Sequence, residues 1–463
     1  LRGKPQKLEH LSPSGSLLSK TTMSWSAAPL SGPVRFVKME ERRLEHFFDP
    51  TVFTREEFQY SSINGHVVSR TRSGTHADAI TETHRYVNCG SWNWRPDRIT
   101  LSGANEGVVQ ETFFGYDSRG NKIREERWNN QGENPAAAWV YDVYGNPVEK
   151  TDANGNCTRY EYDAATSSYP ARIVLPATDG VEHVWKAPSF DYRVGKAKRL
   201  EDENGNSTLY AYDSLGRLIQ AETPDGGRRT FAYVDTVFPT FLKTTVQTDA
   251  GSPIVSVDYF DGLKRRIKTV AGGENGRSVS TRYVYDVMGR SRRREGPSFS
   301  QTNGAPWTET SYDLSGRTGR TRRTEGAHGV VAETHSHSGL AETVTDPDGA
   351  RKTTVKDHLD RVIRVVEHSE DGEIAVSFDY DSAGLLTKIV NPAGAATHYE
   401  YDSLGRLRSM SDPDMGRWTY TYDANGNLKT QTDSKGQTIS MEYDALNRLL
   451  SKRYSTADPP VFY

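Results

Sequence analysis

The sequence predicts an all-β fold: a long array of antiparallel β-hairpins, winding as a spiral sheet into a hollow shell or part of one. Three observations carry that prediction. Tyr-Asp pairs recur ten times, and in eight of them Gly follows the Asp by three residues. A second turn, built on Asp or Asn and Gly, falls between successive pairs. The residues between turns alternate in polarity with a period of two, as half-buried strands do.

The first turn reads Tyr-Asp-x-x-Gly-[Arg/Asn]. It occurs at Tyr116, Asp117 and Gly120, at Tyr141, Asp142 and Gly145, at Tyr212, Asp213 and Gly216, and at Tyr285, Asp286 and Gly289. It recurs at Tyr312, Asp313 and Gly316, at Tyr380, Asp381 and Gly384, at Tyr401, Asp402 and Gly405, and at Tyr422, Asp423 and Gly426. After Tyr443 and Asp444 the glycine's place is taken by Asn447, and the copy at Tyr162 lacks it. Gly and Asn are the residues that most readily accept positive φ. An Asp at the head of such a turn can accept hydrogen bonds from nearby backbone N–H groups and hold it closed. Gly then returns the chain into the next strand, as in a type I turn with a bulge. These residues are therefore read as turn architecture rather than catalytic groups.

The second turn appears as Asp152-Ala-Asn-Gly155, Asp202-Glu-Asn-Gly205, Asp346-Pro-Asp-Gly349, Asn391-Pro-Ala-Gly394 and Asp433-Ser-Lys-Gly436. From Asp381 the turn heads fall at Asn391, Asp402, Asp412, Asp423, Asp433 and Asp444, in steps alternating between 10 and 11. Two turns per 21 residues mean two strands per repeat. Removing a four-residue turn leaves strands of about six residues, roughly 20 Å long. In "TISMEYD", Ile439, Met441 and Tyr443 share one face and Thr438, Ser440 and Glu442 the other. No comparable window has helical periodicity.

From Phe113 onward there is room for about 16 repeats and about 30 strands. Short links make sequential strands neighbours, and an open sheet of that size cannot stay flat. A continuous spiral enclosing space is the expected outcome. Residues 1–105 are less regular and read as a β-rich leading segment; residues 106–463 are the repeat array. "WNW" at Trp92–Trp94 puts two indoles on one face of a strand, read as packing under a loop.

Composition agrees with a wall rather than a ball. Of 463 residues only 35% are hydrophobic, and mean hydropathy is −0.73, poor for a globule of this length. Disorder would explain such a deficit, but 24 Tyr, 15 Phe and 8 Trp argue against it. Formal net charge is −3, with 58 Lys and Arg interleaved among 61 Asp and Glu. No basic tract suggests nucleic acid, no apolar run reaches a membrane span, and no secretory signal opens the chain. Cys89 and Cys157 give neither a disulfide framework nor metal spacing.

Other motifs are weaker. "ETHSH" places Glu333, His335 and His337 on one strand face, where two His could grip a metal. Without a second ligand cluster they read as solvated strand residues. "GGENGR" at Gly272–Arg277 follows no strand-to-helix pattern and makes a poor phosphate loop. "RSRRRE" at Arg290–Glu295 is balanced by nearby acids and reads as a face toward solvent or a polar lumen. No cofactor, metal or catalytic constellation is expected.

The recurring "YDSLGRL", "YDANGNL" and "YDALNRL" resemble the motif of the Rhs, or YD-repeat, family, over about three-quarters of the chain from near Phe113. "LRGKP" with "LLSKT" is similar to the segment preceding the repeats in the B component of insecticidal toxin complexes. The resemblance implies a β cocoon enclosing a variable C-terminal polypeptide, often a toxin. In toxin complexes two components build the shell jointly, and teneurins use a similar shell in cell-surface adhesion. It also implies a secreted or cell-surface setting, with bacterial export, and a partner that is either an enclosed toxin polypeptide or a second shell-forming subunit. Complete bacterial members end the array with an Asp-Pro-x-Gly core and autoproteolytic aspartates. Here the chain stops at "ADPPVFY", and Asp346-Pro347-Asp348-Gly349 falls on an ordinary second turn, so no catalytic residue carries over.

The expected function is a non-enzymatic container wall. An adhesive or glycan-binding array, with exposed Tyr and Trp stacking on sugars at a target-cell surface, is the alternative. A self-cleaving protease ranks third. The open strand edges of a truncated spiral predict a partner.

Overall fold

The structure, a computed structural model, describes residues 4–11, 17–29, 35–46, 52–90, 94–247, 252–272, 277–299, 305–313, 315–324, 329–455 and 461–462. These residues form one 38-stranded sheet, from β1 (Lys7–Leu11) to β38 (Val461–Phe462), with no helix among them. Every strand pairs antiparallel with the next in the chain, as in β9 (Lys122–Arg127) with β10 (Ala136–Tyr141) and β32 (Ala396–Tyr401) with β33 (Leu407–Asp412). The all-β hairpin array expected from the repeat is what the chain forms. The sheet runs unbroken from residues 94–103 to 107–116. Some strands before residue 106 are long: β2 (Leu17–Pro29) has 13 residues against 6 in β9.

Strand direction alternates, so loops after even-numbered strands line one edge of the ribbon and loops after odd-numbered strands line the other. All ten Tyr-Asp turns lie on the first edge; the Asx-Gly turns lie on the second. At each Tyr-Asp turn the register slips by one residue, between Ala211 and Tyr212, Val284 and Tyr285, and Glu400 and Tyr401. This is the bulge that a left-handed residue at the end of the turn produces. Gly216 takes φ of 74° there, and Asn447 takes 62°.

The ribbon returns on itself. The loop between β9 and β10 meets the loop between β32 and β33, and β9 to β32 is 23 strands. The loop between β5 (Val67–Gly74) and β6 (Ala77–Asn88) likewise meets the one between β28 (Arg351–Lys356) and β29 (Val362–Ser369), again 23 strands on. The number has to be odd. Stacking one turn on the previous one brings opposite edges together, and opposite edges carry loops of opposite parity. With strands about 4.8 Å apart, 23 of them close a ring roughly 110 Å round and about 35 Å across. Thirty-eight strands thus make more than one and a half turns.

Such a wall is one sheet thick and has little interior. Among the described residues the buried apolar side chains are Val52, Ile80, Val174, Ala187 and Val366. Accessible surface is 27769 Å², where a compact monomer of the same mass would expose about 17,000 Å². Water reaches both faces, which is why so hydrophilic a chain can be fully β.

Candidate functional site: the Tyr-Asp edge and the seam between turns

The Tyr-Asp loops form a linked series along one edge, and each residue of the motif has a separate task. In the copy at 212–218, Asp213 Oδ1 accepts the N–H groups of Leu215 and Arg217, both at 2.9 Å. Its Oδ2 takes the Arg217 Nε at 2.7 Å, and the Gly216 N–H donates to the Asp213 carbonyl at 3.0 Å. These bonds hold the Asp213 carboxyl below its usual range, the Arg217 N–H contributing most. Asp286 and Asp402 make the same set with Arg290 and Arg406, while Asp117, Asp142 and Asp423 use Asn121, Asn146 and Asn427.

The arginine then reaches the next copy. Arg217 lies 4.3 Å from the Tyr233 ring, Arg265 4.8 Å from Tyr285, Arg290 4.5 Å from Tyr312, and Arg406 5.0 Å from Tyr422. The tyrosine hydroxyl reaches back. Tyr285, Tyr312, Tyr380 and Tyr422 donate to the carbonyls of Arg266, Ser291, Val362 and Leu407 at 2.7–2.8 Å, each the first residue after the preceding loop. Tyr141 and Tyr443 make the same bond, and Tyr116 and Tyr212 reach the carbonyls of Pro96 and Ala197, one or two residues further along the strand. Phe could fill this place but could not form the hook, which accounts for Tyr in the motif.

Asp381 is the exception. Leu385 stands where its neighbours have Arg or Asn, so no side chain there pairs with the carboxylate. Burial pushes its pKa up, and Glu106 nearby adds to the rise. It lines a cleft of about 570 Å³ at the seam, with Asp78, Glu106, Arg361 and Asp379.

The seam joins residues 269 or more positions apart. Ser403 Oγ donates to the Trp128 carbonyl at 2.7 Å and accepts the Asn130 N–H at 2.9 Å, and the Ser403 N–H donates to Asn130 Oδ1 at 3.1 Å. Asn154 Nδ2 donates to Asp423 Oδ2 at 3.0 Å, and Asn425 Nδ2 returns a bond to Asp152 Oδ2 at 2.7 Å. The Ser382 N–H donates to Glu106 at 2.9 Å, and Arg448 to Thr178 Oγ1 at 3.2 Å. Thr178 also meets His183 Nε2 at 2.6 Å, whose other nitrogen meets Glu203. At one end His358 presses onto Gly74, where an added Cβ would come within 2.6 Å of the His358 Cβ. Its backbone N–H donates to the Thr75 carbonyl at 3.1 Å.

Three further Asp-headed turns on the Tyr-Asp edge lack the Tyr-Asp-x-x-Gly pattern. Asp261 and Asp357 head loops closed by Arg265 and Arg361, with Lys264 (φ 60°) and Asp360 (φ 66°) in the glycine's place. Asp191 heads the third, after Phe190. An Asp four residues before Arg was the signal available for the first two. In the glycine-free copy, Asp163 accepts N–H groups from Thr166, Ser168 and Tyr169 in a wider loop, and its pKa falls far below the usual range.

The weaker motifs are placed as follows. His335 Nδ1 meets Glu342 at 2.9 Å, His337 Nε2 meets the Thr318 carbonyl at 2.7 Å, and Glu333 pairs with Arg323. No group of three metal-binding side chains occurs among the described residues. Arg290 serves Asp286, and Arg293 pairs with Glu295 and lies over Trp307. Asp346 Oδ1 accepts the Asp348 and Ala350 N–H groups in an ordinary turn. Trp92 and residues 273–276 lie outside the described residues. No helix among the described residues is long and apolar enough to cross a membrane.

Comparison with known proteins follows the same outline. The Teneurin YD-shell family model matches residues 195–455, and the RHS repeat model matches residues 141–166. A search of curated proteins finds no match. Among solved structures, the TcdB2-TccC3 crystal structure aligns with 97% of this chain at 14% identity and a TM-score of 0.78. TcdB2-TccC3 without its hypervariable C-terminal region aligns with 100% at 13% and 0.79, and the Photorhabdus luminescens Tc holotoxin pore carrying TccC3-D651A with 100% at 12% and 0.79. The chain spans about a third of those chains, 32%, 35% and 35% respectively. At such identities the likeness is one of fold.

Two predictions follow from this geometry. Tyr422→Phe removes one hook and should loosen the edge by about 1 kcal/mol, whereas Asp402→Ala leaves several buried donors unsatisfied and should cost about 2–3 kcal/mol. Amide exchange over 402–407 should rise severalfold in the first variant and far more in the second; equal effects would contradict the assigned roles. The second concerns His358. Burial pushes its pKa down, and Arg361 and Arg72 add to that against the Thr75 bond and Asp357. Neither ring nitrogen has a hydrogen-bond partner, and Arg42, Arg70, Glu56 and Asp360 line the same cleft. The released ring titrates near 6.5, so below that pH the open seam binds more protons than the closed one. Seam stability is present above about 6.5 and lost as pH falls through the lower value in the closed seam. Amides at 357–361 should lose protection between pH 7.5 and 5, after correction for intrinsic exchange, and His358→Phe should abolish that dependence.

Proposed function

This chain belongs to the teneurin YD-shell family, and from that premise we propose that it is a non-enzymatic wall segment of a secreted toxin-type shell, enclosing a polypeptide borne on its own C-terminal side or on a partner subunit. The observation that carries this reading is a wall one sheet thick that returns on itself after 23 strands. Allowing about 10 Å for the wall, the bore is roughly 25 Å wide. That admits an extended chain or a helix of about 10–12 Å. It excludes a folded domain of about 100 residues, whose radius of gyration of about 13 Å implies a diameter above 30 Å. The cargo this wall suits is an unfolded polypeptide. Likeness to the TcdB2-TccC3 assemblies supports the same reading.

A disordered reporter fused after residue 463 tests it. Protease should cleave that reporter severalfold more slowly than the same reporter fused to a solid globular carrier. A stably folded reporter should gain no protection. Equal cleavage of the disordered reporter on both carriers would reject the container.

A further inference from the structure

Arginine gathers on one face of the sheet near the start of the chain. Arg42 of β3 (Arg35–His46) stands opposite Glu56 of β4 (Phe53–Tyr60), and Glu56 stands opposite Arg72 of β5. Paired residues share a face, and Arg70, two residues from Arg72, shares it too. Glu56 Oε1 pairs with Arg70, and Glu56 Oε2 lies 3.7 Å from the Arg42 Nε. Arg72 has no carboxylate or carbonyl partner among the described residues. Three guanidiniums thus share one carboxylate, which leaves two positive charges uncompensated.

The loop 357–361 lays His358 over this group across the seam, and together they line a cleft of about 320 Å³. The remaining charges around it are already paired. Asp357 meets Arg361 at 2.7 Å, Asp360 meets Lys356 at 2.7 Å, and Arg55 meets Glu41 and Glu57. The Arg70 Nε and both ring nitrogens of His358 are buried without a hydrogen-bond partner among the described residues. Buried polar nitrogens normally have one. What this cleft lacks is a doubly negative acceptor.

We propose that the cleft binds a free, doubly charged tetrahedral oxyanion, of the phosphate or sulfate class, which clamps β3–β5 to the loop 357–361. Guanidinium forks match oxyanion geometry, and a dianion cancels the excess of Arg42, Arg70 and Arg72 over Glu56. Its oxygens supply acceptors for the Arg70 Nε and for a His358 N–H. Burial, with Arg361 and Arg72, pushes the His358 pKa down. An anion between the ring and the guanidiniums opposes the arginine part of that push, so the clamped seam tolerates a protonated His358. Such a clamp acts on the closure of the wall, whatever the wall encloses.

Sulfate is the probe, because its charge stays constant through the range in which His358 titrates. Added to the full chain at constant ionic strength, it should bind saturably, and at pH 5.5 it should restore the amide protection at 357–361 that acid removes. Phosphate should occupy the same site, and acetate should bind about tenfold more weakly. Arg72→Gln should weaken sulfate binding about tenfold with the circular dichroism of the sheet unchanged. Arg292→Gln, at an exposed arginine elsewhere, should leave it as it was. Four results would overturn the proposal: no saturable binding beyond that of chloride, acetate bound as well as sulfate, affinity indifferent to Arg72→Gln, or binding that leaves protection at 357–361 unchanged. A phosphoserine peptide that binds far more tightly than free phosphate would overturn the assignment of a free anion.

Discussion

A wall one sheet thick has no second layer to bury against, so something other than a core must keep each hairpin in place. In this chain that task falls to the carboxylate at the head of each Tyr-Asp loop. One oxygen closes the loop through two backbone N–H groups, and the other holds an Arg or Asn at the loop's far end. The held arginine lies over the tyrosine of the next loop, and that tyrosine's hydroxyl hooks back to the strand just begun. Each loop is thereby tied to its neighbours in both directions. Individually these bonds are weak; repeated along an edge, they form a continuous band. Where Leu385 stands in the partner's place, burial raises the Asp381 carboxyl and no Arg or Asn at the loop's far end offsets it.

The seam follows a different rule. An odd number of strands per turn brings the Tyr-Asp edge onto the Asx-Gly edge, and the contacts made there are short polar bonds through Ser403, Asn425, Asn130 and Asn154. Polar seams suit a wall wetted on both sides, because loop backbone groups need partners wherever they leave solvent. They also make the closure local, with small groups of bonds that can open separately along the line.

Much of this was legible in the sequence, since the two-per-21 turn spacing and the period-two strands leave little choice of fold. Asp and Gly could be read as turn chemistry from residue type alone, whereas the Arg or Asn after Gly stood in the pattern without a role. The tyrosine hook could not, because its acceptor is a backbone carbonyl with no residue preference. The loops at Asp261 and Asp357 were missed because Lys264 and Asp360 take positive φ without being Gly or Asn. The seam was hidden for a deeper reason. Which loop meets which depends on the curvature of the whole sheet, and Asn130 has no motif that points to Ser403, 273 residues away. The heptapeptide at 212–218 recurs at 401–407, yet Ser214 is exposed while Ser403 is bonded across the seam, which shows how little a loop's own residues reveal of its surroundings.

The most direct measurement is intrachain disulfide formation across the seam, with Cys89 and Cys157 replaced by Ser. Cysteines introduced by Asn130→Cys and Ser403→Cys should join readily under mild oxidation. Asn154→Cys with Ser403→Cys, one loop out of register, should not. A cross-link confined to the first pair is the result a 23-strand turn requires. Failure of the first pair, or equal joining of both, would contradict a wall that returns on itself at that register.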